Sequence, residues 1–323
     1  MPSSDKTLTF TRGAGAGKPE ESRLPSLPPL LPSLEPHIAK LLDRHKKASA
    51  RIDWSYHDFL PLEAYHAPAK LHKPLSEVAY TAVETALLTE ANLPWYTAVL
   101  YEGFQNSLEP LQEFVRVWTS EEDQHSTLLE TYLLLTDNGD HAERGTRRKA
   151  VLASGWSHAL STPFEAMVYT TVQELATRAF YNHTARVCEG EDPALSQALR
   201  RIAKDETRHY SFYRDVVKAH LDAQPEYAEP VAKVLIAFQM PGYVMADFAE
   251  RSLYLASHDV FGPEQFYQDV VEEVCASWQL DEIAPSSPEA QRALARLRVY
   301  RTALRRMAGR MAGAKVPAPA LVQ

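Results

Sequence analysis

The sequence predicts an all-α fold, a four-helix bundle with a di-metal centre that is extended by additional helices. Long Ala- and Leu-rich segments carry apolar residues at helical spacing, and no convincing strand alternation is found along the chain. Within these segments the motif E-x-x-H occurs twice, at 122–125 and 206–209. Together these observations favour a helical bundle whose interior holds a polar site.

The bundle helices follow a shorter helix predicted over residues 34–50. Four long helices come next and have no Gly or Pro beyond their first and last turns except Pro94 and Gly103; they cover 76–106, 109–136, 163–190 and 193–221. The runs D-N-G-D at 137–140 and G-E-D-P at 190–193 supply stops. T-P-F-E at 162–165 is typical of a helix start, with an N-cap Thr followed by Pro in the first turn.

The remaining segments define the domain limits. Further helices are predicted over 226–239, 243–256, 263–277 and 288–312. We therefore expect a single helical domain over 37–312, preceded by a flexible Pro-rich arm at 1–36 and followed by a tail at 313–323.

The two E-x-x-H motifs share a longer pattern. Each is preceded by a Glu that lies 32 residues before its own Glu. Residues i and i+3 share a helix face, so each motif offers one carboxylate and one imidazole to the same point. The predicted metal ligands are Glu90, Glu122, His125, Glu174, Glu206 and His209.

Four carboxylates and two histidines are the ligand set of ferritin-like di-iron and di-manganese bundles. Carboxylate and imidazole without thiolate favour iron or manganese over structural zinc. The alternative is that these residues are structural or solvated. A third E-x-x-H, Glu63 to His66, has Leu31 at the 32-residue offset and lies between Pro61 and Pro68, so we interpret it as a coincidence.

Neighbouring residues are candidates for the layer around the ligands. Glu121 and Asp205 each precede a motif Glu, and we expect Asp205 to orient His125 and Glu121 to orient His209, unless these acids face solvent. Thr177 lies one turn after Glu174 and could present its hydroxyl to the metals, although Thr in a helix often bonds the carbonyl four residues earlier.

Composition excludes several other classes of protein. The net charge of −8 makes nucleic acid an improbable partner, and two cysteines exclude a disulfide framework or a Cys-rich metal site. No apolar run has the length of a transmembrane segment, and the N-terminus lacks the apolar core of a secretion signal. We expect a cytoplasmic protein.

Five motifs, taken in order, resemble one known family. They are W-S-Y-H-D-F-L-P at 54–61, T-E-A-N-L-P-W-Y at 89–96, W-T-S-E-E-D-Q-H at 118–125, Q-E-L-A-T at 173–177 and D-E-T-R-H at 205–209. From about Trp54 to about Arg306 the chain is similar to the soluble acyl-acyl-carrier-protein desaturases of plant plastids and actinobacteria.

The resemblance implies a homodimeric enzyme with two carboxylate-bridged iron ions held by the six predicted ligands. Such an enzyme removes two hydrogens from an acyl chain carried on acyl carrier protein, and it consumes dioxygen and two electrons from a ferredoxin-type donor. The resemblance also implies that Thr177 lies near the oxygen site. Trp54 and Asp205 would lead from the surface towards the metals through His125.

The chain departs from the family pattern at several places. Asp123-Gln124 replaces Asn-Arg, Tyr181-Asn182-His183 replaces a His-Gly-Asn segment, and the stretch between Glu90 and Glu122 is shorter than in plant enzymes. Acyl chain length, double-bond position and the choice between desaturation and hydroxylation stay open, because small changes in a pocket decide which carbon faces the oxidant.

Three rival functions share parts of this pattern. A di-iron hydroxylase or N-oxygenase, acting on a carrier-bound or small-molecule substrate, would use the same ligands. An iron-storage bundle would need no apolar channel, and a radical-generating subunit would need a redox tyrosine, for which Tyr96 and Tyr169 are available.

An acidic carrier protein needs a basic docking surface. Basic residues cluster in three places, any of which could also be a solvated helix face. The clusters are Arg44, Lys46, Lys47 and Arg51; Arg147, Arg148 and Lys149; and Arg296, Arg301, Arg305 and Arg306.

Overall fold

A computed structural model describes residues 27–50, 54–60, 74–157 and 160–313. Within these ranges the secondary structure is entirely helical, as predicted, and contains no strand. The α-helices are α1 Glu35–Ser49, α2 Glu77–Glu90, α3 Leu93–Gly103, α4 Glu109–Leu135, α5 His141–Ser154, α6 Pro163–Cys188, α7 Pro193–Ala223, α8 Ala228–Ala237, α9 Phe248–Ser257, α10 Pro263–Gln265, α11 Glu273–Ser277 and α12 Pro288–Gly313.

Helices α2, α4, α6 and α7 form the central bundle. Helices α6 and α7 share the most extensive packing interface, and α2 packs on both α4 and α6. Residues 189–192 connect α6 to α7, a link so short that it makes the two helices antiparallel neighbours. The other helices pack around this bundle: α1 on α4 and α7, α3 on α4 and α6, α5 and α9 on α2, and α8 between α6 and α12.

Side-chain caps fix where the bundle helices begin. Thr162 accepts a hydrogen bond from the Glu165 amide at 3.1 Å and caps α6, as the sequence predicts. Asp192 accepts from the amides of Ala194 and Leu195 and caps α7, and its other carboxylate oxygen accepts from the Tyr132 hydroxyl at 2.8 Å. Asp192 therefore both caps the N-terminus of α7 and links it to the C-terminal part of α4.

The predicted helix over 76–106 is wrong in one respect, because the structure has two helices here. Helix α2 ends at Glu90 and α3 begins at Leu93. In a continuous helix the ring of Pro94 would clash with the carbonyl of the residue four positions earlier, which is Glu90. The break places Glu90 on the last turn of α2.

Helix α5 was not predicted, and one predicted helix has irregular geometry. Asp140, which we read as part of a stop, is the N-cap of α5 and accepts from the Ala142 and Glu143 amides. The segment predicted as a regular helix over 263–277 contains a π-helix at Phe266–Glu272, between α10 and α11. The third E-x-x-H motif, Glu63 to His66, lies outside the described residues.

The described end of the predicted N-terminal arm contacts the body. The Leu31 amide donates to His220 Nε2 at 3.2 Å, and the Tyr227 hydroxyl donates to the Pro28 carbonyl at 2.7 Å. Residues 28–31 therefore lie against the C-terminal part of α7 and the short helix that follows it. No described helix is both long enough and apolar enough to cross a membrane.

Two leucines of α4 give a matched test of this packing. Leu129 is fully buried, whereas Leu134 is 54% exposed. Leu129→Ala should lower the free energy of unfolding by about 2–5 kcal/mol, because it removes buried methyl groups and leaves a cavity. Leu134→Ala should change it by less than about 0.5 kcal/mol. Chemical denaturation of both variants measures this, and equal losses would contradict the assigned helix face.

Candidate metal centre

The bundle brings the six predicted ligand residues together, and none is more than 9% exposed. Their side chains form two overlapping groups in which the candidate ligand atoms lie within 4.8 Å of one another. Glu90 and His125 belong to the first group, and Glu174 and His209 belong to the second. Glu122 and Glu206 belong to both groups, so these two carboxylates occupy the positions that bridging ligands would take.

Each histidine presents Nδ1 to the centre and Nε2 to an outer carboxylate. His125 Nδ1 lies 3.0 Å from Glu122 Oε2 and 3.3 Å from Glu206 Oε1, and its Nε2 lies 3.5 Å from Asp205 Oδ2. His209 Nδ1 lies 2.8 Å from Glu122 Oε1, and its Nε2 lies 2.7 Å from Glu121 Oε2. Such a carboxylate–histidine pair orients the ring so that the inner nitrogen can bind a metal.

Several inner atoms approach each other without forming hydrogen bonds. Glu122 Oε1, Glu206 Oε1 and His209 Nδ1 are buried and have no hydrogen-bond partner in the described part of the chain. Glu122 Oε1 and His209 Nδ1 are only 2.8 Å apart. Buried polar atoms without partners, in groups whose candidate ligand atoms lie within 4.8 Å of one another, are an arrangement that a metal ion fits.

Burial and mutual repulsion perturb the acids and bases of this cluster. Burial, and then repulsion from Glu122 and Glu206, raise the pKa of Glu90 well above its usual range. Burial also raises the pKa of Glu174. Burial alone would lower the pKa of His125 and of His209, but the surrounding carboxylates outweigh it and raise both. Without cations the cluster therefore retains protons that metal ions would replace.

Two buried aromatic residues donate hydrogen bonds to the non-bridging carboxylates. Trp118 Nε1 donates to Glu174 Oε1 at 3.0 Å, and the Tyr181 hydroxyl donates to Glu90 Oε1 at 2.8 Å. Neither of these hydrogen bonds was predicted from the sequence. Trp118 was within a quoted motif, but the contacts of both residues bridge long sequence separations that no local pattern reveals.

The outer carboxylate Asp205 contacts Trp54 and two arginines. Its Oδ2 accepts from Trp54 Nε1 at 3.1 Å, and its Oδ1 accepts from Arg201 at 2.7 Å and Arg208 at 2.6 Å. The Arg201 guanidinium also lies over the Trp54 ring, 5.2 Å from its centroid. The arginines stand four residues before and three after Asp205, so helical spacing could have identified them.

The outer carboxylate Glu121 contacts a residue that the sequence reasoning missed. His45 Nε2 lies 3.0 Å from Glu121 Oε2, and the His45 ring is packed edge-on against Phe114. Two corresponding series of side-chain contacts therefore extend outwards from the centre. One is His125–Asp205–Trp54, and the other is His209–Glu121–His45. A tryptophan ends the first, and a histidine from α1 ends the second.

A cavity of about 670 Å³ lies beside the centre. Glu90, Thr177 and Tyr181 are in its wall, so Thr177 lines the same cavity as one of the predicted ligands. Most of the remaining wall is apolar and comes from α2, α6, α9, α12 and the segment 238–243. Exposed side chains at the rim are Tyr243, Leu253 and Met307. The cavity thus connects the protein surface with the ligand cluster and can exclude water from an apolar ligand.

The hydroxyls of the two tyrosines considered as redox residues donate to backbone carbonyls. The Tyr96 hydroxyl donates to the Thr89 carbonyl at 3.0 Å, and the Tyr169 hydroxyl donates to the Gln239 carbonyl at 2.9 Å. The Tyr181 hydroxyl, by contrast, hydrogen-bonds the predicted ligand Glu90.

Many of the candidate docking residues are already paired with acids. Arg44 pairs with Asp215, Lys46 with Glu113 and Lys47 with Asp43, whereas Arg51 lies outside the described residues. Arg147 pairs with Glu84 and Glu143, and Arg301 pairs with Glu272 and Asp281. Of the candidate docking residues, the exposed ones for which the described ranges supply no ion pair are Arg148, Lys149, Arg296, Arg305 and Arg306.

Comparison with known proteins agrees with this geometry. Residues 29–321 match the family described as Fatty acid desaturase. The chain is 31% identical over 272 residues to DesA1 of Mycobacterium tuberculosis, described as an acyl-[acyl-carrier-protein] desaturase, with 78% of each chain covered. It is 28% identical over 265 residues to the chloroplastic stearoyl-[acyl-carrier-protein] 9-desaturase of Elaeis guineensis, covering 74% of this chain and 67% of that protein.

The fold is also similar to a solved structure. The X-ray structure of DesA2 from Mycobacterium tuberculosis H37Rv, described as an acyl-ACP desaturase, matches with a TM-score of 0.61 and 22% identity. The match covers 80% of this chain and 97% of that chain. The extent of the family match and the identity to DesA1 together establish that this chain belongs to the fatty acid desaturase family.

Proposed function

We propose that this protein is a di-iron acyl-[acyl-carrier-protein] desaturase. It would insert a double bond into a carrier-bound acyl chain, using dioxygen and two electrons from a ferredoxin-type donor. The observation that supports this most is the position of the carboxylate–imidazole cluster at the wall of an apolar cavity. The printed names of DesA1 and of the Elaeis guineensis protein support the choice of substrate.

The six ligand residues fit two iron ions. Glu122 and Glu206 would bridge the ions, Glu90 and His125 would complete one site, and Glu174 and His209 the other. When bound, the iron ions supply the one-electron steps and the oxygen chemistry that an unactivated methylene group requires.

The surrounding residues of the chain have distinct tasks. Asp205 and Glu121 hold the rings of His125 and His209 with Nδ1 towards the centre. The cavity wall excludes water from the acyl chain. It also fixes the position of the acyl chain, so the acyl chain presents one pair of carbons to the site. Thr177 is in this wall, and we propose that its hydroxyl faces the oxygen side of the metals.

The direct test is turnover with a defined substrate. Protein loaded with ferrous iron, supplied with acyl carrier protein thioesters, ferredoxin, a reductase and oxygen, should release chains that have lost two hydrogens, as measured by mass spectrometry. A gain of one oxygen would identify a hydroxylase or N-oxygenase instead. Light scattering should give twice the 36.3 kDa of one chain, because we propose a homodimer, whereas a large shell would indicate iron storage.

We propose that Trp54, Asp205 and His125 form the route by which electrons from the protein donor reach the metals. The observed contacts join these three side chains in that order. Trp54→Phe should slow reduction by ferredoxin roughly 10-fold or more in stopped-flow absorbance. Reduction by dithionite, a small diffusible reagent, should be unchanged.

The control for this prediction is Trp95→Phe, because Trp95 is 45% exposed and its indole donates to the Leu152 carbonyl. Unaltered ferredoxin-dependent reduction in Trp54→Phe would exclude the route.

We further propose that the acidic carrier docks at the end of α12 beside the cavity rim. Arg305 and Arg306 stand between Leu304 and Met307, which line the cavity. Reversing both charges, as Arg305→Glu with Arg306→Glu, should raise KM for the carrier-bound substrate about tenfold and leave kcat little changed.

Lys46→Glu with Lys47→Glu is the matched control, because both lysines are already paired with acids. If that pair of changes raised KM as much as the α12 pair, the α12 docking site would be wrong.

A further inference from the structure

Glu90 differs from the other five predicted ligands in two ways. Of the six, it is the one that lines the apolar cavity. It is also the last residue of α2, where the carbonyl end of the helix dipole is unfavourable for a negative charge. Glu174, its counterpart in the other half of the site, lies in the middle of α6. Glu90 therefore depends more on its side-chain partners for a fixed orientation.

Tyr181 provides such a partner. Its ring is fully buried, its hydroxyl donates to Glu90 Oε1 at 2.8 Å, and the residue lines the same cavity. Helical spacing puts Glu174, Thr177 and Tyr181 on one face of α6. One phenol proton occupies one of about four lone-pair positions of a carboxylate and leaves the others free for a metal. The bond can thus fix the plane of Glu90 without blocking coordination.

The opposite half of the site supplies an internal comparison. Trp118 donates to Glu174 Oε1 at 3.0 Å, as Tyr181 does to Glu90. Trp118 is buried but does not line the cavity. Tyr181 thus combines a hydrogen bond to a ligand with a place in the cavity wall. It also stands where the family pattern quoted above has His.

We propose that Tyr181 is a positioning residue that holds Glu90 in its metal-binding orientation and couples that orientation to the contents of the cavity. The inference rests on the proposed function for the identity of the ions and of the acyl chain. An acyl chain packed against the Tyr181 ring would act on Glu90 through this hydrogen bond. Trp118, which donates to Glu174 as Tyr181 does to Glu90, does not line that cavity.

Cobalt(II) titration under anaerobic conditions tests the positioning role without any turnover. Tyr181→Phe keeps the ring and loses the donor, and it should weaken one of the two binding steps about 10- to 100-fold. Trp118→Phe should weaken the other step by a similar factor, and the double variant should weaken both. Tyr181→His, which restores a ring donor, should recover much of the lost affinity.

Two outcomes would overturn this inference. One is that Tyr181→Phe binds both cobalt ions within twofold of the unmodified protein, and the other is that it weakens the same step as Trp118→Phe. Should Tyr181→Phe fold poorly by circular dichroism, Tyr181→Leu, which also lacks a donor, replaces it in the titration and is compared with Tyr181→His. Equal cobalt affinities of these two variants would contradict the inference.

A second readout tests the coupling. Adding a saturated acyl-[acyl-carrier-protein] to the dicobalt protein should shift its visible absorption bands, and Tyr181→Phe should reduce the shift while Trp118→Phe should preserve it. Equal shifts in both variants would exclude the coupling. If the titrations behave as expected but no desaturated product forms in the turnover assay, Tyr181 keeps its role and the proposed function fails.

Discussion

The structure depends on holding four carboxylates and two imidazoles in the interior of a helical bundle. Moving one charged side chain out of water costs several kcal/mol even after a protein relaxes, so such a cluster is stable only with protons or cations among its members. The raised pKa values of Glu90 and Glu174 record this cost in the absence of metal. The long helices, their caps and the outer hydrogen bonds all serve to place these groups.

Order around the cluster comes from hydrogen bonds that extend outwards from each ligand. Asp205 and Glu121 hold the histidines, and Trp54 and His45 in turn contact those acids. The two halves of the site match at the level of the ligands and differ further out. One series of contacts ends at the half-buried Trp54, and the other ends at the buried His45. The cavity increases this asymmetry, because Glu90 is the one of the six ligand residues that lies in its wall.

The sequence was sufficient for the features that depend on local spacing. The i, i+3 motifs and their common interval identified all six residues that converge, and Pro and cap residues placed most helix ends. Contacts between distant segments could not be predicted from local spacing. Tyr181 and Glu90 are 91 residues apart in the sequence, and His45 and Glu121 are 76 residues apart. Helix α5 was missed because few of its residues are buried, so its apolar pattern is weak.

The most direct measurement is anaerobic titration of the metal-free protein with ferrous iron, counting bound ions and released protons. Two ions should bind each chain. Affinity should rise with pH, because the raised pKa values of Glu90, Glu174, His125 and His209 mean that protons compete with the metal. Glu122→Ala and Glu206→Ala should each disrupt both sites. Binding of fewer than two ions, or full occupancy in either variant, would contradict the shared di-metal centre.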